Sequence, residues 1–374
     1  MSRTQTQVIV SQGYQGHRLM YVRLLADAAI TRGRRPLLVL DHAAPDSAEF
    51  ATHLGGLDRS ARVITFDGHR SNELWRVLQN EEWDLPIVFP EGDAWLRPLL
   101  TSRPLPGKAT VLVMRPESQS AGLLMRAAQN AAKRVLRQAV RVLRGHAVFT
   151  LTGAMRTSLG RYEVPDPGTM SASPSDGARA RDSWNRGFSA APAFWIGVIG
   201  GIGPRKNLDV VAEAVSSLTV NIGLVIAGQA EVEESIIEQW LAPAAEHGAP
   251  IVRLAGTLGE HDFDSIIRGL DCVVVAHSNE GPSGILAKAV MAHTVVVAAG
   301  AQSLKRDAEF SGGKVVWSEL TPDGIASSLT SVLHSAPPEG GPNLDSQQMF
   351  ADRLLSGRRR RVSWSEKTVG LSEA

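Results

Sequence analysis

The sequence predicts an α/β protein built from two doubly wound domains, and three observations lead to that prediction. The chain has 374 residues, which is too many for one ordinary core and suits two domains of typical size. Short apolar runs alternate with helical patterns in both halves, as in parallel sheets whose strands are joined by helices. Between the halves, residues 164–192 are polar and lack periodicity, so we predict an interdomain linker there.

Composition limits the classes of function. Hydrophobic residues make up 43% of the chain and charged residues 21%, which is typical of a globular protein. The formal net charge of +1 argues against a surface that binds polyanions over its whole extent. Cys272 is the single cysteine, which argues against a disulfide framework or a cysteine-based metal site. No run resembles a signal peptide or a membrane span, so we expect a cytoplasmic protein, or one peripheral at the inner face of a membrane.

The predicted first domain, 1–163, begins with the strand Val8–Val10 and a glycine-rich loop over 11–18. The helix after this loop has apolar residues at helical spacing and ends at Gly33. Helical segments separate the later apolar runs, which are predicted to be strands at 36–40, 63–66, 86–89, 111–114 and 146–152.

A basic amphipathic helix is predicted over about 121–144, within a segment, 118–162, that contains no acidic residue. We expect its apolar face to pack on the sheet and its charged face to lie in water. The alternative is that the charged face docks on an anionic membrane or a phosphate-bearing acceptor. The charged face carries Arg126, Lys133, Arg137, Arg141 and Arg144, and the apolar face carries Leu124, Ala128, Ala131, Val135, Ala139 and Val142.

The predicted second domain, 193–345, repeats the pattern of the first. Phe194–Ile199 is a predicted strand, 200–204 is a glycine loop, and Arg205, Lys206 and Asn207 lead into a helix. The elements that follow are a strand at 224–228, a helix over about 231–247 and a strand at 251–254.

The stretch Leu270–Ala299 has the clearest functional pattern. A buried strand, a polar loop over 277–283, a helix over 284–292 and a further buried strand form a crossover unit, whose loop lies at the carboxyl edge of the sheet. The unpaired N–H groups at the start of the helix favour phosphate, and Glu280 in the loop suits sugar hydroxyls. This pairing suggests a nucleotide sugar, and the alternative is an ordinary βαβ unit with a polar loop.

Taken together, these segments resemble the nucleotide-sugar domain of GT-B glycosyltransferases, most of all those of the retaining family 4. The resemblance is clear over about 194–300 and looser before 160. The segments that carry it are FWIGVIGGIGPRKNLD (194–209), the strand and acidic helix start at 224–234, the loop, helix and strand at 271–298, the turn at 164–167 and the Ser-Trp-Ser-Glu patch at 363–366.

The resemblance implies roles for individual residues. Lys206 matches the lysine that binds the donor diphosphate, and Glu280 matches the first of two glutamates, which holds donor sugar hydroxyls; we take these two as the catalytic candidates. The expected donor-binding residues are Gly201, Arg205, Gly281, Pro282, Ser283, Gly284, Ile285 and Lys288.

Two of these positions depart from the family. Gly201 stands where the family has an arginine, and Lys288 stands where it has the second glutamate. Both changes together make the expected site more cationic. Lys288 is expected either to bond a ribose hydroxyl or to take over phosphate binding, and decayed nucleotide binding is the alternative.

The resemblance also implies an activity and an architecture. The expected activity is retaining transfer of a sugar from a nucleotide diphosphate sugar to a glycan, lipid-linked or small-molecule acceptor, with no metal or other cofactor. The expected architecture is two Rossmann-like domains facing a central cleft, with residues 346–374 forming a helix and tail that pack back toward the first domain. Gly13, Gly16 and His17 are the acceptor-side candidates.

Other functions stay open or are disfavoured on specific grounds. A GT-B-like protein that binds a glycan or partner without turnover stays open because of Gly201 and Lys288, and so does a nucleotide-sugar epimerase. A dehydrogenase is disfavoured because no ribose-binding acid directly follows the strand that ends at Gly228. A nucleic-acid partner is disfavoured because the basic helix lacks interleaved aromatic residues.

Overall fold

The computed structural model describes residues 4–15, 18–57, 59–68, 71–102, 107–116, 123–153, 158–280, 283–309, 311, 313–334, 345–357 and 362–363. The described residues fall into two compact units. The first unit lies within Met1–Thr152, Thr157–Pro165 and Asp345–Ala374, and the second lies within Gly153–Arg156 and Asp166–Leu344.

A seven-stranded parallel sheet forms the first unit, in the order β3-β2-β1-β4-β5-β6-β8. Its strands are continuous apolar runs, as expected of strands that are covered on both faces. The strands of this unit are β1 Thr6–Ser11, β2 Arg35–Asp41, β3 Arg62–Phe66, β4 Ile87–Phe89, β5 Ala109–Val113, β6 Ala147–Thr152, β7 Ser158–Leu159 and β8 Glu163–Pro165. Its helices are α1 Arg18–Thr31, α2 Ala48–Leu54, α3 Ser71–Gln79, α4 Leu96–Thr101 and α5 Leu123–Leu143.

The strand alternation of this sheet divides the core into two layers. Ile9, Leu38 and Leu40 point to the side that is covered by α1, whereas Val8 and Val10 belong to the layer under α3 and α4. Each strand therefore buries both sets of side chains, which explains why the runs in the sequence are uniformly apolar.

The orientation of α5 differs from the one that the sequence predicted. The basic face, not the apolar face, is turned toward the unit. Arg141 donates to the carbonyl of Val148 at 2.6 Å and lies 4.0 Å over the Tyr162 ring, and Arg144 donates to the carbonyl of Leu100 at 3.0 Å. The expectation that Leu124, Val135 and Val142 pack on the sheet is therefore wrong. The inward side of α5 instead buries Val140, with Leu136 packed beside it, and its charged donors satisfy backbone carbonyls at this edge of the unit. The exposed side chains on the opposite face include Leu124, Ala128, Ala131, Val135 and Val142.

The second unit has a six-stranded parallel sheet, in the order β11-β10-β9-β12-β13-β14. The predicted α/β class with two doubly wound sheets is thus confirmed. The strands are β9 Phe194–Ile199, β10 Ile222–Gly228, β11 Ile251–Ala255, β12 Cys272–His277, β13 Val295–Gly300 and β14 Val315–Ser318. The helices are α6 Pro174–Asn185, α7 Leu208–Ser216, α8 Glu234–Glu246, α9 Glu260–Gly269, α10 Gly284–Met291, α11 Gln302–Glu309 and α12 Pro322–Leu333.

The predicted linker at 164–192 contains the helix α6, so that prediction is wrong over 174–185. A capping box between Ser173 and Asp176 starts the helix. The helix α6 packs closely on α9 at Gly177. An added Cβ at this glycine would lie 2.7 Å from the backbone carbonyl carbon of Arg268. Trp184 anchors its far end, with its ring 5.6 Å from that of Trp195. Because only Gly177 and Trp184 of this helix are buried, its sequence shows little apolar periodicity, and the helix was not predicted.

The helix α13, Asp345–Ser356, belongs to the first unit. The ring of Phe350 lies 5.1 Å from that of Tyr21 on α1, and both are buried. Arg353 is also buried and donates to the carbonyl oxygens of Gly160, at 2.9 Å, and Glu163. Beyond this helix, β15 Val362–Ser363 pairs antiparallel with β7. None of the helices described here is both long and apolar enough to cross a membrane.

Candidate functional site

The predicted donor residues that the structure describes lie in the second unit, most of them at the carboxyl ends of β9 and β12. This is the edge at which open parallel sheets bind ligands. The loop after β9 crosses close to the end of β10, because an added Cβ on Gly228 would lie 2.1 Å from the carbonyl oxygen of Gly200. Gly200 and Gly228 both have positive φ, at 103° and 131°, which glycine adopts without strain. The two glycines thereby bring the two strand ends together.

Lys206 occupies the centre of this edge. It ends a short 3₁₀ turn, Pro204–Lys206, and its side chain is only 4% exposed. Nζ donates to the carbonyl of Ile199, the last residue of β9, at 2.8 Å. Asn207, in the left-handed conformation, donates to the carbonyl of Ala276 at 3.0 Å and so ties the turn to β12. Burial, with a smaller effect from Arg205, lowers the pKa of Lys206 to about 8.

His277 is a site residue to which the sequence analysis assigned no role. It ends β12, is 9% exposed and contacts the carbonyl of Asn279 through Nδ1 at 3.1 Å. Burial lowers its pKa to about 4, and the positive charge of Lys206 contributes. A neutral ring that donates from Nδ1 leaves Nε2 as an acceptor. Its position at the end of a buried strand, where open parallel sheets bind ligands, is the feature of the sequence that could have identified it as a site residue.

Glu280 has a structural task in addition to the predicted one. Its Oε1 accepts from the backbone N–H of Gln302 at 3.0 Å, and its Oε2 accepts from that of Ser303 at 2.8 Å. The carboxylate therefore caps α11, where it also complements the positive end of the helix. Each oxygen keeps a further lone pair for a hydroxyl group, so capping and sugar binding are chemically compatible.

The start of α10 has open space beside Gly284. Ser283 is the N-cap, and its Oγ accepts from the N–H of Leu286 at 3.3 Å. An added Cβ on Gly284 would meet no atom within 4 Å. Ile285 reaches toward Gly200, where an added Cβ would lie 3.1 Å from its Cδ1. Gly281 and Pro282 lie outside the described residues.

An ion pair borders Gly201. The Nη2 atom of Arg205 lies 3.1 Å from Oε1 of Glu231, and an added Cβ on Gly201 would lie 2.1 Å from that same oxygen. Ile202 fixes the loop by donating to the carbonyl of Gln229 and accepting from the N–H of Glu231, both at 2.8 Å. Arg205, about half-exposed, therefore places a cation beside the position where the resemblance led us to expect an arginine.

Lys288 has partners that argue against phosphate binding. Its Nζ lies 2.6 Å from Oδ1 of Asp264 and 3.3 Å from Oε1 of Glu260, and it donates to the carbonyl of Thr169 at 2.8 Å. Three partners occupy its three donors, and two carboxylates offset its charge. Lys288 therefore joins α10 to α9 and to the segment before α6, and its donor-side role stays a prediction that these contacts disfavour.

The glycine loop of the first unit holds an ion pair of its own. Arg18 and Glu91 are 2.8 Å apart, and an added Cβ on Gly13 would lie 2.5 Å from a guanidinium nitrogen of Arg18. Burial raises the pKa of Glu91. Gly16 and His17 lie outside the described residues. Within the described ranges, no group of three or more His, Cys, Asp and Glu side chains is arranged to hold a metal ion.

Known proteins similar to this chain share its fold. Residues 193–335 match the family profile described as Glycosyl transferases group 1. A comparison with curated protein sequences finds no match. The structure of Anabaena Alr3699/HepE in complex with UDP aligns with a TM-score of 0.62 at 16% identity, over 94% of this chain and 96% of that one. A glycosyltransferase from Rickettsia africae ESF-5 aligns with a TM-score of 0.58 at 10% identity, over 94% and 93%.

A third similar structure is WaaG, a glycosyltransferase involved in lipopolysaccharide biosynthesis, with a TM-score of 0.50 at 13% identity over 93% of this chain and 95% of that one. At such identities the structural alignments show a common fold, whereas the family profile matches the sequence of the second unit itself. The chain therefore has the GT-B fold, and the sequence of its residues 193–335 is similar to that of the group 1 glycosyl transferases.

Proposed function

We propose that this protein is a retaining glycosyltransferase that moves a hexosyl group from a nucleotide diphosphate sugar to a glycan, lipid-linked or small-molecule acceptor. The observation that carries the proposal is the buried ammonium of Lys206, held at the carboxyl edge of the sheet near the start of α10. A cation and unpaired helix N–H groups at one edge suit a diphosphate.

In the proposed reaction, the acceptor oxygen forms a bond to the anomeric carbon on the face from which the diphosphate departs. The bond between that carbon and the diphosphate oxygen breaks, and the acceptor proton passes to the departing oxygen. Lys206 and the N–H groups of α10 stabilise the negative charge that develops on the diphosphate. The chemistry requires no separate general base, so the protein chiefly positions the reactants and excludes water.

Two further side chains have proposed roles on the sugar. Glu280, held in place by its bonds to α11, accepts hydrogen bonds from hydroxyl groups of the donor sugar. His277 is neutral at pH 7 because its pKa is about 4, so it offers an acceptor without adding charge. The donor base is proposed to be uracil for a first test, because Alr3699/HepE has been crystallised with UDP and with UDP-glucose.

The second candidate function is binding of a nucleotide sugar or glycan without turnover. It is favoured by Lys288, which stands where the family has a glutamate and is occupied by Asp264 and Glu260. Under this alternative the diphosphate site is retained, whereas the ribose contact is absent.

The experiment combines binding with product analysis. Thermal unfolding is measured with UDP-, GDP- and ADP-sugars, and a donor at about one hundred times its Kd should raise the unfolding free energy by roughly 2.7 kcal/mol. Release of the nucleoside diphosphate and the anomer of the released sugar are then followed by NMR. Retained configuration supports the proposal, inverted configuration contradicts the retaining mechanism, and binding without release supports the alternative.

A matched pair of variants tests the site. Lys206→Ala should weaken binding of the nucleoside diphosphate at least tenfold in calorimetry. The control is Lys305→Ala, which removes the same charge from α11, where Lys305 lies 4.5 Å over the Trp317 ring. If the two variants bind the nucleoside diphosphate with equal affinity, Lys206 does not contribute to diphosphate binding.

A further inference from the structure

The exposed face of α5 concentrates the apolar surface of the protein. Among the residues that the structure describes, six large hydrophobic side chains are exposed, and five of them belong to this helix. The sixth, Val220, lies in the second unit and is 43% exposed. The five are Leu124 (89% exposed), Met125 (59%), Val135 (68%), Val142 (66%) and Leu143 (72%). A contiguous patch of exposed apolar side chains on a protein surface typically marks an interaction site.

These side chains form a stripe along the helix. Leu124, Val135 and Val142 are separated by eleven and seven residues, which are close to three and two turns, so they lie along one side of the helix. Exposed alanines at 128 and 131 continue the line between them. The 21 residues of α5 give a stripe roughly 30 Å long.

The residues around the stripe are basic, which favours an anionic partner. No acidic residue occurs between Ser118 and Tyr162, while Arg134 is exposed on the flank of the stripe. Lys133, Arg141 and Arg144 hold the opposite face of α5 to backbone carbonyls, so the apolar face is fixed outward. An apolar stripe flanked by the exposed Arg134, in a segment without acidic residues, complements an anionic lipid surface. A symmetric pairing of two copies would instead bring two such basic segments together.

We propose that α5 docks the first unit on an anionic membrane surface. The apolar stripe enters the boundary between headgroups and acyl chains, and Arg134 lies against the headgroups. The stripe has no tryptophan or phenylalanine, so the attachment is peripheral and reversible. This inference is independent of the proposed glycosyl transfer, because it concerns a different unit and a different ligand.

The test is flotation of the full chain with vesicles of phosphatidylcholine alone and of phosphatidylcholine with 40% phosphatidylglycerol. The wild-type protein should float with the anionic vesicles and much less with the neutral ones. The triple variant Leu124→Gln, Val135→Gln, Val142→Gln should lose at least tenfold in vesicle affinity. The control Val220→Gln makes the same kind of change elsewhere and should bind as the wild type does.

Two additional measurements keep the proposal falsifiable. Arg134→Gln should lower affinity severalfold for anionic vesicles only, and added salt should reduce the difference. Sedimentation velocity measures self-association of the wild type and the triple variant without lipid. Failure of the wild type to float, or unchanged flotation of the triple variant, overturns the proposal. A dimer that the triple variant abolishes would assign the stripe to a second copy of the chain instead.

Discussion

The ammonium of Lys206 is subject to two opposing effects. Burial, with a smaller effect from the positive charge of Arg205, disfavours its charged form, whereas the carboxylate of Glu231 favours it. The net result is a pKa of about 8, so the positive charge is present at pH 7 and is lost as the pH rises through 8. Under the proposed function, a bound diphosphate needs that charge.

We therefore predict that diphosphate affinity declines with pH in the alkaline range. Between pH 7 and 8 the affinity should change little, and above pH 8 it should fall by up to tenfold per pH unit, because one proton must be taken up on binding. Calorimetry with UDP from pH 7 to 10, in buffers of different ionisation enthalpy, measures both the affinity and the proton uptake.

Lys206→Arg provides the control for this prediction, because a guanidinium stays charged over the whole range. Its affinity for UDP should be lower than that of the wild type at pH 7 but nearly independent of pH. A wild-type affinity that is flat up to pH 10 would contradict the assignment of this charge to Lys206.

Lys288 is predicted to affect stability rather than nucleotide binding. Asp264 is fully buried and depends on Lys288 for its compensating charge, although Ser171 also donates to it at 2.7 Å. Lys288→Met should therefore lower the free energy of unfolding by about 3 kcal/mol, since it leaves a buried carboxylate without a cation. Urea denaturation measures this loss.

The double variant Lys288→Met, Asp264→Leu should recover part of the lost stability, because it removes both charges. UDP affinity should change less than twofold in either variant once unfolding is taken into account. A large loss of UDP affinity with unchanged stability would restore the phosphate role that the sequence suggested.

At the scale of elements, α11 depends on a residue outside itself. Glu280 accepts hydrogen bonds from its first two N–H groups, so Glu280→Ala should destabilise the protein by about 1–2 kcal/mol through loss of the cap. Hydrogen exchange should show faster exchange across 302–309 and little change in α7. Glu280→Gln keeps an acceptor oxygen and should restore about half of the protection.

A functional comparison separates the cap from sugar binding. If Glu280→Gln protects α11 yet abolishes sugar release, the carboxylate acts on the donor. If protection of α11 and sugar release change in proportion across both variants, its role in activity is the cap alone.

The elements that the sequence predicts well are those whose burial is two-sided. The runs at 194–199, 272–276 and 295–297 are strands because a continuous apolar run suits a strand covered on both faces. The outward face of α5 was not predictable in this way, since amphipathic periodicity identifies two faces but not which face meets the protein. Its orientation depends on the core residues that pack against Val140 and on carbonyl groups of other elements.

The candidate site shows the same division. Lys206 and the start of α10 follow strand ends, so their place at one edge could be predicted from the order of elements. The partners of Lys288 could not, because Thr169 is 119 residues away and Asp264 is 24 residues away, on α9. The partners in an ion pair depend on how the helices pack on one another. Periodicity and motifs in a single sequence do not show that packing.

At the scale of the whole molecule, each unit has, among its described residues, one buried histidine whose pKa is strongly lowered. Burial lowers the pKa of His146 and of His277 to about 4, and the Nδ1 atom of His146 accepts a hydrogen bond from the N–H of Ala109. In the unfolded chain each would titrate near 6.5. Both folded-state pKa values lie below the unfolded value, so the native state binds fewer protons between pH 4 and 6.5.

Stability is therefore predicted to fall as the pH drops from 6.5 to 4, by up to about 3 kcal/mol for each histidine. His146→Gln should reduce the acid loss in the first unit, and His277→Gln should reduce it in the second. The control His247→Gln replaces an exposed histidine and keeps both buried ones, so it should retain the loss of stability at acid pH. Urea denaturation at pH 4, 5, 6 and 7 gives the profile, and identical slopes in all four proteins would refute the prediction.

The return of α13 to the first unit has a consequence for how the protein is made. The second unit is one nearly continuous stretch, 166–344, whereas the first unit lacks α13, with its buried Phe350 and Arg353, until residue 356 has been synthesised. Translation proceeds at ~5–20 residues per second, so the nascent first unit waits roughly 10–40 s for its last helix. During that interval on the ribosome, the side chain of Tyr21 on α1 lacks its contact with Phe350. The later-made unit can thus complete its fold before the earlier-made one, and chaperones that bind nascent chains should protect the first half longest.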